Sequence, residues 1–229
     1  MRVTRPDISR KMGLLMFPVR LIAALILALL LAGSAPGAAA DEPYYPLKPG
    51  LRWEYQVTSE RGTAKTLVIT NLPPRELQGR TVTPRKWDLG GAVFYQFMGQ
   101  DEGGIFRFAE QTSEKGAPTL ITPRDYDLKY PLAEGTTWDI TAQVGEVKVP
   151  VNLSIESVTD TVTVPGGTFK NCLKIKQVGE AKGQASVTAY EWYAPKVGVV
   201  KSLVILKSKG KGGAMVTESR TYLLQSFKP

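Results

Sequence analysis

The 229-residue chain has no histidine and a single cysteine, and these two absences exclude a good deal of chemistry. Without an imidazole there is no Ser-His-Asp or Cys-His nucleophile system, no imidazole metal site and no histidine pH switch. One thiol, Cys172, cannot build an intrachain disulfide framework or a zinc ribbon. Its neighbours Leu173 and Ile175 put it on a strand, where it is expected to be inert, although by alternation it shares a face with Lys174 and Lys176. Helical spacing of apolar residues is also missing beyond residue 40. The expectation is no catalytic residue, no metal and no cofactor.

What is present begins with a targeting pattern. Arg2, Arg5, Arg10, Lys11 and Arg20 precede the apolar run Leu21 to Ala32, Pro36 breaks any helix after it, and Ala38-Ala39-Ala40 offers a small-residue cleavage site before Asp41. That is the order of a secretory signal peptide. No cysteine follows the run, so acyl anchoring by that route is not expected. The expected product is exported, periplasmic or extracellular, and soluble after cleavage near Ala40.

The formal charge of +8 falls by half without this leader, because residues 41–229 hold 24 basic and 20 acidic residues. The charge is uneven: residues 111–169 carry 4 basic against 8 acidic, and residues 170–229 carry 11 against 3. No aromatic-basic motif of a nucleic-acid reader is present, so nucleic acid is not an expected partner. The basic end leaves contact with an anionic envelope surface open. Lys207, Lys209 and Lys211, set among glycines in Lys207–Gly213, are the candidate contacts, on a hairpin tip.

Along residues 41–229 the apolar residues recur at every second position. Leu51, Trp53, Tyr55 and Val57 alternate with Arg52, Glu54 and Gln56, and Val147 to Ile155 alternate in the same way. This period marks strands with one buried face. Further strands are expected over 65–71, 80–87, 92–98, 104–109, 136–144, 160–164, 169–178, 185–193, 197–207 and 214–227. The run Val199 to Leu206, apolar on both faces, is expected to be central and covered on both sides.

A repeat organises these strands. Tyr45-Pro46-Leu47 followed by Gly50 and Trp53 returns at an offset of 85 as Tyr130-Pro131-Leu132, Gly135 and Trp138. Residues 41–229 are therefore expected to form a single β-domain: repeat one over 44–109, a joint over 110–128, repeat two over 129–206 and a C-terminal strand over 214–227. With no helix to cover the apolar faces, the two meanders should join into one strongly curved antiparallel sheet or open barrel, an all-β fold.

The segment Tyr44 to Tyr55, the run Val162-Thr163-Val164-Pro165-Gly166-Gly167-Thr168-Phe169-Lys170-Asn171-Cys172 to Ile175, and Glu191-Trp192-Tyr193-Ala194-Pro195-Lys196-Val197-Gly198 to Lys201 resemble the TapB-like family of bacterial exported β-proteins. The resemblance implies an envelope-facing β-domain, distantly similar to the curved sheets of the lipoprotein carriers LolA and LolB. It implies no catalytic residue.

A curled sheet of ten or more strands tends to enclose more space than side chains fill. The expected function is a non-catalytic binding module for an apolar or lipid-type ligand, with Trp53, Tyr55, Phe97, Trp138 and Trp192 as candidate lining residues. The alternatives are an adaptor that docks another envelope protein and, less favoured, an enzyme acting on envelope polymers. Asp125 and Asp127 resemble a calcium loop only superficially, since no glycine or glutamate follows at the required positions.

Overall fold

The computed structural model describes residues 43–60, 62, 64–210 and 212–229. The expected export leader, its cleavage point and Lys211 lie outside the described residues. Strands occupy 73% of the described chain, and it contains no helix. They are β1 (Arg52–Ser59), β2 (Lys65–Asn71), β3 (Arg75–Leu77), β4 (Arg80–Leu89), β5 (Ala92–Asp101), β6 (Gly104–Gln111), β7 (Thr119–Lys129), β8 (Thr137–Val144), β9 (Val147–Val164), β10 (Gly167–Ala181), β11 (Ala185–Ala194), β12 (Gly198–Lys209) and β13 (Met215–Lys228).

Twelve of these run in the order β7-β6-β5-β4-β2-β1-β13-β12-β11-β10-β9-β8, every neighbour antiparallel, with β3 paired only to β4. The path is two up-and-down meanders, joined where the last strand of the chain pairs with the first: Arg52 to Ser59 lie against Lys228 to Arg220. The sheet curls until its end strands β7 and β8 approach, giving an almost closed barrel with one unsealed seam. Side chains bridge that seam. Trp138 Nε1 donates to Tyr126 O at 2.8 Å, and the Thr141 backbone N–H donates to the Asp125 carboxylate.

The alternation read from the sequence decides which residues face inward. In β1, Trp53, Tyr55 and Val57 are buried while Arg52, Glu54 and Gln56 keep solvent contact. In β9 the same holds for Val149, Val151, Leu153 and Ile155 against Lys148, Pro150, Asn152 and Glu156. An apolar interior with a polar exterior is the reverse of a membrane-spanning barrel. Among the described residues no helix is long and apolar enough to cross a membrane.

The two Tyr-Pro-Leu motifs enter the sheet by matching bonds. Gly50, at φ 85°, donates its N–H to Asn71 O, and Asn71 N–H donates to Leu51 O; Gly135, at φ 82°, donates to Ile155 O, and Ile155 N–H donates to Thr136 O. Positive φ at both positions is what a glycine permits at little cost. Trp53 then pairs with Ile69 and Trp138 with Leu153.

Four local expectations need correction. The stretch assigned to a joint, 110–128, contains most of β7, whose Pro123 disguises it; a strand with a ladder on one side only can accommodate a residue that lacks an N–H. The runs 147–155 and 160–164 are one strand, β9, whose far half reaches with β10 across the sheet until Gly166 N–H donates to Leu224 O at 2.8 Å. The strand β12 is hydrogen-bonded on both sides but not covered on both faces by described residues, and Ile205 is 41% exposed. Finally, β10 slips register on both sides of Cys172. Those bulges break strict alternation, so Cys172 and Leu173 are consecutive buried residues while Lys174 reaches Glu156 at 2.8 Å.

Candidate functional site

Inside the barrel lies a partly open cavity of about 300 Å³, walled by residues from all twelve strands of the path. Part of its wall is apolar, from Trp53, Leu67, Ile69, Ile140, Leu153 and Val199. Its polar part includes four charged side chains: Arg85 from β4, Arg107 from β6, Asp127 from β7 and Glu191 from β11. A second space of about 350 Å³, bounded by Val57, Leu89, Glu218 and Arg220, shares Tyr222 with the first.

Of the five expected lining residues, Trp53 and Tyr55 line the cavity and the other three do not. Trp53 Nε1 donates to Val197 O at 2.6 Å and Tyr55 Oη donates to Val199 O at 2.7 Å, so both side chains reach past β13 to the start of β12. Trp138 is buried at the seam. Phe97 follows Gln96, which lines the cavity, and alternation therefore turns Phe97 to the other face, into a small cluster with Val82 and Ala109 under the Arg75 guanidinium. Trp192 lies between Glu191 and Tyr193, which both line the cavity, and points away from it. Its Nε1 donates to Asp160 at 3.0 Å and its ring takes the Lys201 ammonium at 4.8 Å. Lys207 and Lys209 are exposed on β12, beside Met215 and Val216, which are 50% and 41% exposed.

The polar half of the cavity was missed by an expectation built on aromatics. Arg107 Nε donates to Asp127 Oδ1 at 3.1 Å and its Nη1 to Glu110 at 3.0 Å, with Asp125 at 3.6 Å. The two aspartates weighed as a calcium loop are thus the partners of a half-buried guanidinium. Asp127 also accepts from Tyr45 Oη at 3.1 Å. Burial raises the phenol pKa of Tyr45 well above its ordinary value, so it stays a donor. Glu191 accepts from Tyr193 Oη at 2.7 Å and from Gln177 Nε2 at 3.1 Å, and burial pushes its carboxyl pKa upward. Among the described residues no ion pair is made by Glu191.

Arg85 is the second unpaired charge. It is 7% exposed, its guanidinium carbon sits 4.2 Å over the Tyr45 ring and 4.7 Å over that of Trp53, and its bonds go to neutral acceptors, Nε to Asn71 Oδ1 at 3.0 Å and Nη2 to Pro46 O at 3.3 Å. Trp87, next on the same face of β4, also lines the cavity. Its Nε1 is the buried side-chain nitrogen without a hydrogen-bond partner among the described residues. A signal for these residues existed: Arg85 and Glu191 occupy positions whose i±2 neighbours, Thr83 and Trp87 or Ala189 and Tyr193, face inward, and an ionised residue in such a place asks for an explanation. Among the described residues no group of three or more acidic or thiol side chains is placed to hold a metal ion.

Residues 147–213 match the DUF3108-like family. The matched segment holds the whole of β9 to β12 and two of the three motifs quoted above. No curated protein matches the chain. Two solved structures are similar in part: a candidate lipoprotein from Parabacteroides distasonis, at 14% identity over 81% of this chain and 98% of that one, and a candidate exported protein with a YmcC-like fold from Bacteroides fragilis, at 17% identity over 80% and 98%. The TM-score is 0.38 for each.

Proposed function

We propose that the chain is a non-catalytic exported binding module that holds a small, largely apolar ligand inside its barrel. The observation that carries this reading is the lumenal cavity of about 300 Å³, at the lower end of the size range of small-molecule sites. Its wall combines aliphatic and indole surface with a few convergent polar groups, the usual make-up of such a site. Export rests on the leader pattern of residues 1–40, and the TapB-like resemblance agrees with it. The chemistry on the wall is that of recognition: the Arg107–Asp127 pair is satisfied within the protein, and burial keeps the Tyr45 and Tyr193 hydroxyls beside Asp127 and Glu191 protonated, as hydrogen-bond donors.

Native mass spectrometry of protein purified from its own host tests the reading directly, with a co-purified small molecule as the expected result. Val204→Trp, which adds bulk at the cavity wall, should abolish uptake of the fluorophore N-phenyl-1-naphthylamine while the far-UV circular dichroism is retained. A protein that carries no molecule and whose fluorophore uptake is unchanged by Val204→Trp would refute lumenal binding and favour the adaptor reading.

A further inference from the structure

We infer that the lumenal ligand is an amphiphile with an oxyanion head, and that Arg85 is the head-group site. This rests on the lumenal-binding reading above and deepens it. A guanidinium taken out of water is costly to bury without an anionic partner. Arg107, two strands away on the wall of the same cavity, meets that requirement three times over, with Asp127, Glu110 and Asp125. Arg85 does not meet it: no carboxylate among the described residues lies within ion-pair distance.

Its position is nevertheless tightly fixed. The Tyr45 and Trp53 rings flank the guanidinium, while Asn71, itself 1% exposed, accepts from Nε and donates through Nδ2 to Pro46 O and Lys48 O. Nη2 bonds Pro46 O, and Nη1 makes no bond to a described residue. A planar fork held by one edge and open at the other is suited to a carboxylate or phosphate oxygen pair.

Two further features agree. Trp87 Nε1 on the adjoining inward position of β4 is a second donor without an acceptor. The carboxylates sharing the cavity do not cancel the site, since Asp127 is held by Arg107 and Tyr45, and Glu191 is held by Tyr193 and Gln177. The apolar tail would lie along Leu67, Ile69, Leu153 and Val199.

Calorimetric titration of the whole protein with decanoate, decyl phosphate, decanol, decylamine and acetate separates the parts of this inference. Decanoate or decyl phosphate is expected to bind at least tenfold more tightly than decanol, and acetate not to bind, since an anionic acceptor adds about a factor of ten or more to a hydrogen bond from Arg. The ratio of the two anions tells a carboxylate ligand from a phosphate one. Arg85→Gln should remove the preference for the anions, and Arg85→Lys should restore part of it. Equal binding of decanol and decanoate to the unaltered protein would overturn the head-group site and leave lumenal binding standing. So would tighter binding of decylamine, which would transfer the polar contact to Glu191. Retention of the anion preference in Arg85→Gln would overturn the assignment to Arg85, and failure of every decyl compound to bind would remove both readings together. The comparison within the unaltered protein holds even where a variant fails to fold.

Discussion

Tyr55→Phe isolates one of the links that tie the two meanders together. Tyr55 lies on β1, and its hydroxyl donates at 2.7 Å to Val199 O on β12, beyond the intervening β13. The ring is 4% exposed, and Val199 sits where the β11–β12 register slips. Phenylalanine keeps the ring and its packing and removes only the donor, so the cost is that of a lost bond with a buried carbonyl left behind, about 1–3 kcal/mol. Near the middle of that range, with about 2–4 °C per kcal/mol for a chain of this length, Tm should fall by about 4–8 °C. Burial holds the phenol pKa above its ordinary range, so the deficit should be the same at pH 7 and pH 9. Urea unfolding followed by far-UV circular dichroism measures it, with the midpoint lowered and m unchanged. A Tm within about 1 °C of the unaltered protein, or a deficit that disappears at pH 9, would show that this bond does not help to hold the two meanders together.

Glu191→Gln should raise stability at neutral pH. A carboxyl whose folded pKa is raised binds its proton more tightly folded than unfolded, so stability is lost as pH rises above the ordinary glutamate value; unfolding midpoints between pH 4 and pH 8 should show this decline in the unaltered protein and a flatter profile in the variant. Cys172 is 0% exposed, its thiol donates to Phe169 O at 3.5 Å, and burial raises its pKa to about 11; labelling by a maleimide at pH 7.5 should proceed only as the protein unfolds, and labelling within minutes under native conditions would contradict this. The β12–β13 tip sets Lys207 and Lys209 beside exposed Met215 and Val216. Adsorption to vesicles with anionic lipid should therefore weaken when Lys207, Lys209 and Lys211 are replaced by serine, by about 1 kcal/mol per charge near the surface, and co-sedimentation that does not change would retire membrane contact by this tip.

Strand positions were legible because a β-barrel writes itself at period two. The expected runs 65–71, 92–98 and 185–193 fall on β2, β5 and β11. The signal failed where the fold departs from plain alternation. Pro123 hid β7, and the bulges around Cys172 reversed the face that alternation assigned to it. Among the candidate lining residues the failure was one of kind. Aromatic character does not by itself mark the lumen: Phe97 and Trp192 are at the wrong parity, and what separates them from Trp53 and Tyr55 is position along a strand. Arg85 drew no notice in the sequence, although it stands two residues from Trp87 on the same face.

The lumen therefore has to be read as two materials with different reasons to be there. A circuit of twelve strands leaves an interior wider than one layer of side chains from each wall will fill. Two apolar clusters take up much of it, one around Leu153, Ile155, Leu173 and Ile175, the other around Leu51, Trp53, Val200 and Leu224. These account for folding through burial of apolar surface. Arg85 and Glu191 do not add to that account. Burying an ionised group without its counter-ion lowers stability, and well-packed apolar residues in both places would give a sturdier barrel. Departures from local consistency of this kind are expected at functional sites. Arg107 shows that the same lumen can satisfy a guanidinium fully when carboxylates are at hand. The contrast between Arg107, paired three times, and Arg85, fixed by neutral groups with one edge open, is what directs the search for a ligand to β4.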